Sequence, residues 1–314
     1  MIEILLKTLP FFALIGVGWW AGRVRFFTPE ATAYLTKFVF YFALSAMLFR
    51  FAANLSLGGI WNTQFALAYL TGCVVVYVLA FGVALMRRVT VEEAAIESQC
   101  AVIGNTGFLG VPMLVVLLGP EAAGPVLLVL AIDLIVFSSL ITLIITARRE
   151  GRMSLGLFRV LGVGLLKNPM IVSMGLGLAW SATAMPVPAP VNEFLALLGA
   201  AATPGALFAI GASLATKSAE RWAVAGWLSF AKLVLHPAAV AVAALWIFDV
   251  PPASAGVMIA AAALPVAGNV YILAQHYGVA PQRVSSSILI STAVSILTVS
   301  AVIAWVTGEG GLLP

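Results

Sequence analysis

Gly104-Asn105-Thr106-Gly107-Phe108-Leu109-Gly110-Val111-Pro112 lies inside an apolar run, residues 94–118, long enough to cross a bilayer. A helix there should be continuous, yet these nine residues hold three glycines, an Asn, a Thr and a Pro. Pro112 has no backbone N–H and its ring meets the carbonyl of residue 108, so the helix is expected to kink or break just before it. Backbone groups freed at that depth cannot face hydrocarbon, where nothing satisfies them. They are expected to point into a protein-lined cavity, the way many secondary transporters build a substrate site at the midplane. A kinked packing helix is the competing reading, because Gly and Pro are commoner in membrane helices than in soluble ones.

Outward from this stretch the whole chain is greasy. Of its 314 residues 62% are hydrophobic and 9% charged, against about 45–50% and about 25% for a soluble domain. That composition specifies an all-α polytopic membrane protein. Cys73 and Cys100 both lie in apolar segments and read as small buried hydrophobes, not as a disulfide or metal site. CxxC, HExxH and His-cluster patterns are missing, so no metal or cofactor is expected. Gly104 to Gly110 reads GxxGxxG, which is neither a dinucleotide fingerprint nor a P-loop. No basic patch suggests nucleic acid, and no catalytic triad or acid pair suggests an enzyme. The N-terminus has no basic n-region or small-residue cleavage site before Arg23, so it reads as a retained first span.

Ten candidate spans follow at 3–22, 33–53, 63–86, 94–118, 124–147, 161–181, 191–215, 222–247, 253–277 and 284–307. With the N-terminus outside, the odd-numbered links carry Arg23, Arg25, Arg87, Arg88, Arg148, Arg149, Arg152, Arg159, Lys217, Arg221 and Arg283, which is 11 of the 16 basic residues. The even-numbered links carry only Arg50; Lys7, Lys37, Lys167 and Lys232 fall within or beside spans. The positive-inside rule then places both termini outside. The basic link 148–160 divides the chain into a first five-helix repeat, 1–147, and a second, 161–314. An odd number of spans per half makes the second half enter from the opposite side, which is an inverted repeat if the halves are homologous.

The halves do echo one another. Span 9 contains Leu264-Pro265-Val266-Ala267-Gly268-Asn269-Val270-Tyr271, again a Gly-Asn and a Pro in mid-run. Span 2 has Leu44-Ser45-Ala46-Met47-Leu48-Phe49 where span 7 has Thr203-Pro204-Gly205-Ala206-Leu207-Phe208. Interrupted segments at matching positions of two halves are the best sequence pointer to a transporter site.

These motifs resemble the auxin efflux carrier family, which includes the plant PIN carriers and bacterial permeases for malonate, malate and similar acids. The 104–112 stretch is similar to that family's fourth-helix motif, Pro265 with Gly268-Asn269 to its ninth, and Pro204 to Phe208 to its seventh. Ser45 stands where the family often has Pro, and the link of about 13 residues at 148–160 replaces the long hydrophilic loop of many plant members. A bacterial-type carrier in the cytoplasmic (inner) membrane is therefore implied. The resemblance implies a fold related to bile-acid and sodium–proton carriers, with broken helices 4 and 9 crossing near the midplane. Helices 1, 2, 6 and 7 would form a scaffold, helices 3–5 and 8–10 a moving transport domain, and a homodimer through helices 2 and 7 is open to it.

The substrate expected at such a crossing is a small organic anion, because half-helix ends expose unpaired N–H groups and a positive dipole end. Carried over by motif position from the family it resembles, Asn105 and Asn269 would contact substrate or brace the crossing, with Thr106, Gly107 and Tyr271 as further candidate contacts; Gly104, Pro112, Pro265 and Gly268 are the candidate break residues. The alternative for both Asn side chains is helix capping alone. Asp133, flanked by Ile132 and Leu134 in span 5, is expected to face the bundle interior and either couple transport or pair structurally. Lys232 and His236, four apart in span 8, share a face and are its candidate partners. Against that, Lys232 is expected to snorkel to the cytoplasmic interface and His236, before Pro237, to mark a kink. Glu97 reads as a solvated helix end, and Lys167-Asn168-Pro169 as a kink. Ser287, Ser291 and Ser295 form a stripe in span 10, for packing or as a polar wall toward the crossing. Cation-coupled transport of the bile-acid or sodium–proton type is an alternative. A membrane sensor or enzyme would need a catalytic cluster or a soluble domain.

Overall fold

The computed structural model describes residues 2–55, 62–150, 155–215, 222–308 and 311–313. Of the residues that carry the orientation argument, Arg152, Lys217 and Arg221 lie outside the described residues. Among those described, every element is helical. In order they are α1 Ile2–Arg23, α2 Pro29–Ala53, α3 Thr63–Met86, α4 Val91–Val102, α5 Thr106–Leu118, α6 Pro120–Arg148 and α7 Leu155–Lys167. There follow α8 Pro169–Ser181, α9 Ala189–Leu214, α10 Trp222–Ile247, α11 Pro252–Ala262, α12 Gly268–Tyr277 and α13 Pro281–Thr307.

Six helices, α2, α3, α6, α9, α10 and α13, are long and apolar enough to span a membrane, at 24 to 29 residues each. The protein is a multi-pass, all-helical membrane protein. Helices α7 and α8 supply a further crossing if taken together, but they bend by 77° at Asn168. The bend has a local cause. Asn168 leaves the helical region and its side chain accepts from Met170 N at 3.0 Å, restarting the helix at Pro169. The expected kink there is present, and only 13 residues of the sixth span lie on the second rod.

Other boundaries follow from side-chain caps. Thr28 accepts from Ala31 N ahead of Pro29, and Asn62 accepts from Phe65 N to open α3. Thr90 and Glu93 form a reciprocal capping box at the start of α4. Wide π-turns interrupt α2 at Val39–Ala43, α5 at Thr106–Gly110, α6 at Asp133–Phe137, and α10 at Ala231–Leu235 and Ala243–Ile247. In α2 the Ser45 hydroxyl donates to Phe40 O across the π-turn at 3.1 Å.

Helices α1, α2, α8 and α9 pack closely because glycines remove the side chain at each contact. A Cβ on Gly211 would fall 1.9 Å from Ile15 O, one on Gly18 2.1 Å from Phe208 O, and one on Gly177 2.6 Å from Phe49 O. In lipid, where apolar burial gives helices no preference for one another, such backbone approach is the main source of association. Helices α3, α6, α10 and α13 pack around the two short pairs, α4 with α5 and α11 with α12.

Candidate functional site

The fourth and ninth spans are each split. Residues 103–105 separate α4 from α5, and residues 263–267 separate α11 from α12. The two gaps lie against one another. Asn105 N donates to Pro265 O at 2.8 Å, Ala267 N donates to Ile103 O at 3.0 Å, and Gly104 stands opposite Val266 in an isolated antiparallel bridge. Val266 N donates to Ser291 Oγ of α13 at 3.1 Å. So, contrary to the sequence reading, part of the freed backbone does not face a cavity; each gap satisfies the other. Gly104 permits the approach, since a Cβ there would meet Lys232 Nζ at 3.3 Å and Ala261 O at 3.4 Å.

The break does not sit just before Pro112. It falls at residues 103–105, and Pro112 is the second residue of the α-helical part of α5, after the π-turn. A π-turn carries its hydrogen bonds to the fifth residue along, as Gly110 N shows by donating to Asn105 O at 2.9 Å. That spacing lets the helix run into a residue that cannot donate. Pro265 lies within its gap, where its carbonyl is used and its missing N–H costs nothing.

The helix ends at the crossing are treated unequally. At the C-terminus of α11 the protein supplies a lysine. Lys232 is fully buried and its Nζ donates to Ala262 O at 2.5 Å. His236 Nδ1 sits 3.1 Å from Lys232 Nζ and 3.1 Å from the same carbonyl, accepting from the first or donating to the second according to its tautomer. Its Nε2 lies 3.1 Å from Cys73 Sγ. Lys232 therefore does not snorkel to the interface, and His236 is a buried bonding group; a free carbonyl at a buried helix end outweighs the pull of the headgroups.

At the two N-termini no side chain intervenes. Asn105 precedes α5 and Ala267 precedes α12, and neither gives a side-chain bond to the first-turn N–H groups. Asn105 is buried, while Asn269 is half-buried, with an Oδ1 that has no hydrogen-bond partner among the described residues. Gln99 Oε1, one turn before the first gap, is likewise buried and unpartnered. Gly268 is exposed, and a Cβ there would meet nothing within 4 Å, so the start of α12 faces open space. Gly107 is crowded instead by Met170 of α8. Tyr271 is half-buried one turn into α12 and accepts from Gln275 Nε2 at 3.0 Å.

Asp133 is buried at the start of its π-turn. Tyr69 OH donates to its Oδ1 at 2.9 Å, and Thr106 Oγ1 reaches toward its Oδ2 at 3.5 Å. Arg87–Glu97, Arg283–Glu93 and Arg283–Glu97 are ion-paired, whereas Asp133 and Lys232 make no direct pair with one another. Glu97 is not a solvated helix end. It is 1% exposed and clamped between Arg87 at 2.5 Å and Arg283 at 3.0 Å.

The structure thus gathers Gly104, Asn105, Thr106, Pro265, Lys232, His236 and Asp133 at one place, with Gly268 and Asn269 at its rim and Pro112 two turns away. Tyr69, Cys73 and Gln99 were not singled out as partners of this cluster by the sequence, whereas Ser291 belongs to the stripe that it offered as a polar wall. Gln99 carried a signal, as part of Glu97-Ser98-Gln99 in an apolar run; Tyr69 carried none, since a tyrosine in a greasy helix reads as core. Among the described residues no three His, Cys, Asp or Glu could hold a metal ion.

A family model described as "Membrane transport protein" matches residues 3–303. The chain belongs to that family, the auxin efflux carrier family. It is also 31% identical, over its whole length and 98% of the relative's, to a protein of Rhizobium meliloti (strain 1021) named "Putative malonate transporter". This member of the family is a membrane transporter and not an enzyme.

Proposed function

We propose that this transporter carries a small organic anion, a carboxylate such as malonate, malate or an auxin-like acid, across the bacterial cytoplasmic membrane. The observation that carries the reading is the unequal treatment of the helix ends at the crossing. A buried ammonium serves the C-terminus of α11, while the N-termini of α5 and α12 are left uncapped beside amide side chains. Positive half-helix ends that no side chain caps favour an anionic guest. The amides of Asn105 and Asn269 each offer a donor and an acceptor to orient it. The malonate named for the relative is a suitable first substrate to try.

The architecture that fits is ten spans in a five-plus-five inverted repeat, counting α4 with α5 and α11 with α12 as single crossings, and α8 as the sixth. The glycine-packed group α1, α2, α8 and α9 would be the scaffold, and the helices around the crossing would move past it in an elevator step. Both termini would lie outside. The test is uptake of radiolabelled malonate into liposomes holding purified protein, with a thermal-shift screen of mono- and dicarboxylates alongside. Asn105→Ala and Asn269→Ala should each remove most of the uptake while folding normally. Ligand-induced stabilisation that survives both substitutions would place the anion elsewhere.

One observation favours a coupled version. Asp133 is buried and bonded by Tyr69, and Thr106 links it to the first turn of α5. A proton or cation gained there would change the charge next to the anion. In that version uptake depends on an imposed pH or sodium gradient in the wild type and loses that dependence in Asp133→Asn. Uptake indifferent to both gradients in the wild type would leave uniport.

A further inference from the structure

Arg50 is the one basic residue assigned to the side opposite the basic links, at the end of the second span. It lies in the last turn of α2 and lines a cavity of about 210 Å³. The wall opposite is Pro112, Val115 and Val116 of α5, and α9 closes the cavity with residues that include Thr203. The guanidinium is aimed from behind: Arg50 Nε donates to Asn192 Oδ1 of α9 at 3.1 Å. Its two Nη groups have no acceptor among the described residues, and the exposed Glu193 next to Asn192 does not pair with it. Thr203 is half-buried in the same wall, and its hydroxyl also lacks a hydrogen bond among the described residues.

A planar fork held by its Nε, with both Nη groups unbonded among the described residues, matches a carboxylate in two-point geometry. A hydroxyl beside it can donate to one of the same oxygens. The cavity begins at Pro112, six residues past the start of α5, or about 9 Å along the helix at ~1.5 Å per residue. Its walls come from both the glycine-packed group and the broken helix. A guest there touches the two bodies that would have to slide past one another.

We propose that Arg50 and Thr203 form a second anion site, an outer receiving site for small carboxylates on the way to the crossing. The proposal rests on the transport reading above. A phosphate group of a lipid has the same oxyanion chemistry, so the experiment separates the two sources. In intact cells, which hold the protein in one orientation, the half-saturating malonate concentration for uptake should rise about tenfold in Arg50→Gln, the scale of one lost charged hydrogen bond. Thr203→Val should raise it in the same direction by a smaller factor, which keeps the test open if Arg50→Gln folds poorly. The half-saturating concentration for efflux from preloaded cells should move less than twofold, whereas Asn105→Ala impairs both directions. Purified protein in lipid-free detergent should show weaker malonate-induced stabilisation in Arg50→Gln. Equal change in both directions, or none in either, overturns the outer site and leaves the crossing intact. An effect of Arg50→Gln seen only when phosphatidylglycerol is added assigns the fork to lipid and also overturns it. A wild type that moves no carboxylate overturns the transport reading and this site with it.

Discussion

Lys232 illustrates how far a single residue can be read from sequence. Its position in an apolar helix marked it as costly, and its spacing from His236 was visible. Its destination was not, because the carbonyl that holds it belongs to Ala262, thirty residues on. Only the crossing of α11 brings that helix end to α10. Replacing it with Met should strip a charged hydrogen bond worth about 1.5–3 kcal/mol and lower the unfolding temperature in detergent. Transport should be lost as well, even at temperatures where the variant stays folded. An unchanged melting curve would mean that the ammonium does not serve the buried helix end. Ser291 is a milder case: one of three serines on a stripe, it alone accepts from the gap, through Val266 N. Ser291→Ala leaves that N–H buried and unpaired, at a cost of about 1–3 kcal/mol. Ser295→Ala, whose hydroxyl bonds Thr292 O on its own helix, should cost less. Comparing their thermal unfolding checks the difference, and equal losses would contradict it.

At the scale of the helix, the breaks were legible and their resolution was not. Gly104-Asn105 and Gly268-Asn269, each with a Pro nearby, are hard to place in an unbroken apolar helix. That was enough to expect two interruptions. The position of the first was misjudged because the π-turn at Thr106–Gly110 absorbs Pro112. Such turns have no strong local signature and are selected by packing. Nor could pattern alone show that Ile103 and Asn105 would pair with Ala267 and Pro265. The pairing predicts a steric rule. With Lys232 Nζ and Ala261 O within 3.4 Å of a Cβ on Gly104, Gly104→Ala should be tolerated with a small shift. Gly104→Val has no such room, and should reduce folded yield as well as uptake. Detergent-extracted yield and malonate uptake measured for both variants decide it; a fully active Gly104→Val protein would mean the gaps are not in contact.

For the whole molecule, composition settled the class and charge distribution suggested the orientation, while the assembly of the two halves needed coordinates. Glu93 and Glu97 of α4 belong to the first half and Arg283 to the second, and their ion pairs join the halves beside the basic links. The first-half and second-half members of the glycine-packed group meet through backbone contact instead. Gly211→Leu should therefore destabilise far more than the same change at Gly226, where a Cβ meets nothing within 4 Å. Thermal unfolding of both variants tests that contrast, with equal losses the contrary result.

The central claim is that the uncapped starts of α5 and α12 hold a carboxylate between Asn105 and Asn269. Isothermal titration of malonate into the purified wild type and the Asn105→Ala/Asn269→Ala double variant tests it most directly. The account predicts saturable binding to the wild type and affinity at least tenfold weaker in a double variant that melts at the same temperature without ligand. Wild-type affinity in that folded double variant would contradict it.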